Sequence, residues 1–127
     1  MEAVVIITVL ALLQYFYFGY QVGAVRGQTG VKAPAMSGDP LFERVNRVHL
    51  NTLELLVFVL PIMWIFAHTV NPLWAAGFGA IYIIGRFIYS AAYRKDPSNR
   101  SMGYMMSMLP GAIMAIWVLI VAGKTYF

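Results

Sequence analysis

The sequence predicts an all-α integral membrane protein, built as a bundle of four transmembrane helices. Of its 127 residues, 61% are hydrophobic and only 11% are charged, which is far from the balance of a soluble domain. Four apolar stretches approach or exceed the ~20 residues that span a bilayer, and short polar turns separate them. We expect one domain over residues 1–127, with its core in lipid.

Helix 1 is expected over residues 3–25, as a retained transmembrane helix, because no basic segment or cleavage site of a signal peptide accompanies it. Gly19, Gly23 and Gly27 recur at every fourth position near its end. Small residues at this spacing let helix backbones approach closely, so we interpret them as a packing ridge.

Helix 2 is expected over residues 41–67, after a loop rich in glycine and proline. Asp39 and Pro40 are typical of a helix start, with Asp39 as the N-cap and Pro40 in the first turn. Pro61 lies inside the apolar run, where it predicts a kink.

Helices 3 and 4 are expected over residues 73–93 and 101–122. The turn before helix 3 ends in Asn71 and Pro72, and a basic turn separates the two helices. Pro110 predicts a second kink, within helix 4.

A polar stripe runs along the first half of helix 2. With about 100° between successive residues, Asn51 and Glu54 lie about 40° and 20° from Arg47, and Glu43 and Arg44 lie within about 60° of it. A charge at membrane depth costs ~2.5–3.5 kcal/mol or more unless it faces protein or water. The stripe therefore indicates either a ligand site or an internal salt bridge between Arg47 and Glu54, and the spacing allows both.

Helix 3 carries a second polar stripe, in which an arginine lies among phenols. Its members fall within about 60° of one another and are Tyr82, Arg86, Tyr89 and Tyr93. Arg86 lies deepest and needs a carboxylate, so we predict a structural ion pair with Glu54 or Glu43.

Composition excludes several kinds of site. The absence of cysteine removes disulfides, thiolate metal sites and a cysteine nucleophile, so any thiol chemistry needs a thiol supplied by a ligand, and we expect no metal. No basic run or soluble recognition element points to nucleic acid. The net charge of +4 suits anionic lipid or an anionic ligand.

The distribution of lysine and arginine predicts the orientation. Loops one and three and the mouth of helix 2 carry the cations Arg26, Lys32, Arg44, Arg47, Arg94, Lys95 and Arg100. The other side has only Lys124, so loops one and three and the polar stripes should face the cytoplasm. The compact chain favours a bacterial inner membrane over the endoplasmic reticulum.

The stripe of helix 2 has a recognisable pattern. From Glu43 to Glu54 it is Glu-Arg-x-x-Arg-x-His-x-Asn-x-x-Glu, which resembles the signature of the MAPEG family, membrane-associated proteins in eicosanoid and glutathione metabolism. The match is closer to microsomal glutathione transferases and prostaglandin E synthase than to leukotriene C4 synthase. The latter usually has glutamine at the position of His49, tyrosine at that of Leu55 and arginine at that of Gly27.

The resemblance implies a homotrimer that binds glutathione between neighbouring subunits. Carried over by position, the glutathione-binding residues are Arg26, Arg47, His49, Asn51, Glu54, Tyr89 and Tyr93. Arg100 stands where the family has the arginine thought to stabilise the thiolate, so it is the expected catalytic residue. The implied activity is glutathione transfer to a lipophilic electrophile, or reduction of a lipid hydroperoxide, in detoxification or lipid metabolism.

Three other readings remain open from the residues alone. A protein of the same fold can bind lipid or glutathione without catalysis. A small four-helix drug exporter would carry an isolated acid in its first helix, whereas Glu54 lies in the second helix beside Asn51 and Arg47. A structural membrane subunit would account for the glycines but leave two ionisable stripes without a purpose.

Overall fold

The computed structural model describes residues 1–127 as four long helices, each long and apolar enough to cross a membrane. They are α1 (Glu2–Thr29), α2 (Pro40–Thr69), α3 (Pro72–Lys95) and α4 (Ser101–Tyr126), with a 3-10 turn at Pro97–Asn99. The predicted four-helix membrane bundle is confirmed. The helices end later than expected, at residues 29, 69, 95 and 126 rather than 25, 67, 93 and 122, and α2 and α4 continue through their internal prolines.

An aspartate or asparagine followed by proline starts α2, α3 and the 3-10 turn. The side chains of Asp39, Asn71 and Asp96 accept backbone N–H hydrogen bonds at 3.0–3.1 Å from two or three residues further on. The predicted cap at Asp39 is thus confirmed. At Asp96, the hydrogen bond from the Ser98 N–H holds the pKa of the carboxyl below its usual range.

α2 is the most enclosed helix of the bundle. In its most apolar 18-residue stretch, 44% of the residues are buried, against 22% in the corresponding stretches of α1 and α4. The outer faces carry large apolar side chains that are 70–74% exposed, namely Phe16, Tyr20, Leu73, Met102 and Leu119. In a membrane such side chains face hydrocarbon, where their exposure carries no hydrophobic penalty.

Polar contacts join α1 to its neighbours inside the bundle. Gln14 Nε2 donates to the Ile83 carbonyl at 2.9 Å, and Trp64 Nε1 donates to Thr8 Oγ1 at 2.9 Å. Hydrogen bonds of this kind hold transmembrane helices together where burial of apolar area cannot.

α3 and α4 approach backbone to backbone at two glycines. A methyl group on Gly103 of α4 would overlap the backbone nitrogen and Cα of Tyr89, and one on Gly85 of α3 would lie 2.8 Å from the Ser107 backbone nitrogen. Only glycine permits this approach without displacing a helix. It brings the first turn of α4 against the polar stripe of α3.

The glycine ridge predicted on α1 is only partly packed within one chain. Gly19 lies against the His49 imidazole, whereas nothing lies within 4 Å of a methyl group built on Gly23 or Gly27.

The two ends of the bundle differ in chemistry. One end has an apolar core that includes Val4, Met63, Phe66, Ala75 and Met114. The other half buries the polar side chains Asn46, Asn51, Thr52, Arg86, Ser90 and Ser107. A polar site is therefore expected in the half that contains the start of α2 and the end of α3.

Candidate functional site

A polar cleft of about 490 Å³ lies between α2, the end of α3 and the start of α4. Its lining consists of Arg47, Asn51, Glu54, Tyr89, Tyr93, Arg100 and Tyr104. Six of the eight residues predicted for the site are among them, and the two that are not are Arg26 and His49. The stripes of α2 and α3 thus face one another, as their shared polarity suggests.

Arg47 and Glu54 form the internal ion pair that the sequence left open. Arg47 Nη1 lies 3.5 Å from Glu54 Oε1, and the two side chains are 51% and 58% exposed. A single long contact between half-exposed groups contributes roughly 0–1 kcal/mol. Most of the hydrogen-bonding capacity of both groups is therefore free for a ligand.

The 3-10 turn places Arg100 at the mouth of the cleft. Arg100 Nη1 donates to the Pro97 carbonyl at 2.8 Å. Arg44 of α2 anchors the end of α3 just before this turn, because its Nη1 donates to the carbonyls of Arg94 at 3.2 Å and Lys95 at 3.1 Å. These bonds satisfy carbonyls at the C-terminus of α3 and fix the chain that leads to Arg100.

Arg86 lies beneath the cleft and is completely buried. Its Nη1 donates to Asn51 Oδ1 at 2.9 Å and to Thr52 Oγ1 at 3.2 Å, and its Cζ lies 4.2 Å from the centre of the Tyr89 ring.

The ion pair predicted between Arg86 and Glu54 or Glu43 is not formed within the chain. The only ion pairs are Arg47–Glu54 and that of the N-terminus with Glu2. Glu43 instead accepts from the Gly38 N–H at 3.3 Å. Amide and hydroxyl oxygens and an aromatic face take the place of a carboxylate for Arg86.

Arg26 and His49 lie on the α1 side of α2. Arg26 Nη1 donates to the Ala35 carbonyl at 2.8 Å, and its Cζ lies 4.6 Å from the centre of the Phe42 ring. His49 stacks on Tyr15 with 4.6 Å between ring centroids. This agrees with the helical wheel, on which His49 lies about 200° from Arg47.

The model of the MAPEG family matches residues 4–120 of this sequence. The chain belongs to the MAPEG family. An uncharacterised protein of Synechocystis sp. is 38% identical over 115 residues, which cover 91% of this chain and 84% of that protein. Microsomal glutathione S-transferase 2 of Homo sapiens is 32% identical, covering 80% of this chain and 69% of its own. Leukotriene C4 synthase of Rattus norvegicus is 30% identical, covering 90% and 73%.

This MAPEG chain is an integral membrane protein by family and by its four spanning helices. Its cleft includes one residue that sequence reasoning missed, Tyr104. The sequence contained a signal for it, because Tyr104 follows Arg100, the N-cap residue of α4, by four residues and so lies on the same side of the helix. The cleft therefore offers two arginines, one carboxylate, one amide and three phenols.

Proposed function

We propose that the chain is a membrane-bound glutathione transferase that activates glutathione as a thiolate for attack on lipophilic electrophiles. The observation that carries the proposal is the meeting of Arg47, Asn51, Glu54 and Arg100 in one polar cleft of a membrane bundle. Relatives named as microsomal glutathione S-transferase 2 support the choice of co-substrate.

The groups in the cleft complement those of glutathione. Arg47, together with the Arg26 expected from a neighbouring subunit, binds its carboxylates through charge-assisted hydrogen bonds, and Glu54 pairs with its α-ammonium. Asn51 bonds to a peptide or carboxylate group, and Tyr89 and Tyr93 provide hydroxyls. A nucleotide or acidic lipid head group would also meet the arginines, but Glu54 would repel it.

Arg100 is assigned to the thiol. A free thiol has a pKa near 8.5, and lowering it to about 6.5 takes ~2.7 kcal/mol of preferential thiolate stabilisation. Arg100 is exposed in the single chain, and its guanidinium is able to supply that much once a neighbouring subunit and the bound substrates exclude water from the cleft. The thiol proton passes to solvent, and the sulfur electron pair forms a bond to the electrophilic carbon as the leaving group departs.

The complete site is proposed to form between subunits of a homotrimer. Three features of the single chain support this: Arg26 and His49 lie away from the cleft, Arg47 and Glu54 remain half exposed, and Gly23 and Gly27 are unpacked. A neighbouring subunit would add Arg26 from its α1 and His49 from its α2 to the cleft, and the contact would cover the glycines. The cleft is proposed to open to the cytoplasm of a bacterial cell.

The lipophilic substrate is proposed to enter from the membrane. Exposed apolar surface is offered by Phe16 and Tyr20 on α1 and by Met102 and Met105 in the first turns of α4, the helix that follows Arg100. An electrophile partitioned into lipid can reach the thiolate along either surface.

An ultraviolet titration of the detergent-solubilised protein with glutathione tests the proposal. We expect a saturable thiolate absorbance near neutral pH, on a background free of protein thiols because the chain has no cysteine. Glutathione should also raise the thermal unfolding temperature, because it binds the native state only. No thiolate signal and no stabilisation would leave a non-catalytic lipid-binding role as the better explanation.

Replacing Glu54 with glutamine separates ligand binding from the internal ion pair. Because the contact with Arg47 is long and exposed, Glu54→Gln should barely change the thermal unfolding temperature. It should weaken glutathione binding at least ~10-fold, since a charge-assisted bond to the ammonium is lost.

The matched probe for this variant is a glutathione analogue in which glutaryl replaces the γ-glutamyl group and the ammonium is absent. The wild type should prefer glutathione to this analogue by a similar factor, and Glu54→Gln should not discriminate between them. A variant that keeps the wild-type preference would show that Glu54 does not contact the ammonium.

A further inference from the structure

The completely buried Arg86 occupies a defined position behind the cleft. Its Nη1 donates to Asn51 Oδ1 at 2.9 Å and to Thr52 Oγ1 at 3.2 Å, and no carboxylate neutralises it. It does not line the cleft, whereas Asn51 does. Apart from the long-range field of its charge, any effect of Arg86 on a ligand therefore passes through the residues it contacts, which are Asn51, Thr52 and Tyr89.

A guanidinium has only donors, so the group that faces it must present oxygen. For Asn51 this fixes the amide, with the oxygen turned inward to Arg86 and the NH2 group on the other side. Thr52 is fixed in the same way, because its hydroxyl donates to the Val48 carbonyl at 2.7 Å and turns its lone pairs to Arg86.

The NH2 group of Asn51 is left as an open donor. The only hydrogen bond of the Asn51 side chain within the chain is the one it accepts from Arg86. The side-chain nitrogen of Asn51 has no partner within the chain but is not fully enclosed, so it retains access to the cleft. A neutral asparagine that could present either end is thereby restricted to one.

We propose that Arg86 is a positioning residue that makes Asn51 a dedicated hydrogen-bond donor, so that the ligand must place an acceptor oxygen there. The inference rests on the proposed function and deepens it by stating which kind of ligand atom receives the hydrogen bond from Asn51. The positive charge behind the amide polarises its N–H bonds and favours a carbonyl or carboxylate oxygen. Glu54, which can only accept, selects the opposite kind of group nearby.

A double-mutant cycle on glutathione affinity, measured by calorimetry in detergent, tests this inference. Arg86→Met and Asn51→Ala should each weaken binding about 10-fold, and the double variant should also lose about 10-fold rather than 100-fold. Coupling of this size is expected only if Arg86 acts through Asn51. Independent effects that multiply would overturn the inference.

Two further variants keep the test decisive. Thr52→Val is the matched control, because it removes the other acceptor of Arg86 outside the cleft, and affinity should change less than about 2-fold. Asn51→Asp gives Arg86 a carboxylate partner but removes the donor, so it should unfold at a higher temperature and still bind glutathione about 10-fold more weakly. Wild-type affinity in Asn51→Asp would overturn the inference even if Arg86→Met failed to fold.

The outcomes distinguish this inference from the proposed function. If the wild type does not bind glutathione, the proposed function fails and the inference falls with it. If the wild type binds and the cycle shows no coupling, only the role of Arg86 is removed.

Discussion

Arg100→Ala is expected to lower the fraction of bound glutathione present as thiolate about 25-fold at pH 7, because the pKa of the bound thiol returns from about 6.5 to about 8.5. The rate of conjugation should fall by a similar factor. Glutathione affinity should fall only about 4-fold at pH 7, which is the share of binding that comes from ionising the bound thiol, since the carboxylates and the ammonium are assigned to other residues. Thiolate absorbance and the turnover of a lipophilic electrophile measure the two effects separately.

The pH dependence of activity should differ between the wild type and Arg100→Ala. The wild type should be nearly fully active above about pH 7, where its bound thiol is already ionised. The Arg100→Ala variant should gain activity as the pH rises and approach the wild type above about pH 9, because at that pH the bound thiol ionises without stabilisation by Arg100. A structural defect would not be repaired by raising the pH.

The matched control is Arg94→Ala, which removes the same charge from the last turn of α3, at a residue that does not line the cleft. Its thiolate fraction should match that of the wild type. Equal losses in both variants would mean that the overall positive potential of this face, rather than Arg100, stabilises the thiolate. Unchanged thiolate absorbance in Arg100→Ala would remove Arg100 from the role.

Helical periodicity was enough to predict most of the cleft lining, because the face on which a residue lies depends only on its position within its own helix. The spacing of Arg47, Asn51 and Glu54 puts them on one face whatever lies opposite, and the same holds for Tyr89 and Tyr93. The sequence could also place His49 away from that face, which the structure bears out with its stack on Tyr15.

What the sequence could not supply was the partner of each polar group across the bundle. Arg86 was expected to meet a carboxylate, but it donates to the oxygens of Asn51 and Thr52. The packing of two helices decides which residues lie opposite each other, and a helical wheel of one helix carries no information about that packing. The late helix ends were missed because a helix ends at its cap rather than at the end of its apolar run: α1 continues to Thr29, where Gly30 takes the left-handed conformation and donates its N–H to the Arg26 carbonyl.

Gly103→Ala is expected to destabilise the fold by about 3 kcal/mol, at the upper end of overpacking costs, with a clear fall in thermal unfolding temperature. The added methyl group meets the backbone nitrogen and Cα of Tyr89, and a backbone cannot rotate away as a side chain can. The helices must therefore separate where Tyr89 and Arg100 line the cleft. Glutathione affinity and the thiolate fraction should fall together with stability.

The control lies in the same helix. A methyl group on Gly123 meets nothing within 4 Å, so Gly123→Ala should be neutral or stabilise α4 by up to ~1 kcal/mol through helix propensity. Two identical substitutions in α4 are thus expected to have opposite signs. If Gly103→Ala were as stable as Gly123→Ala, α3 and α4 could not approach as closely as described. The cleft walls that carry Tyr89 and Arg100 would then not be held at a fixed separation, and the bound thiolate would not be held close to the guanidinium that is proposed to stabilise it.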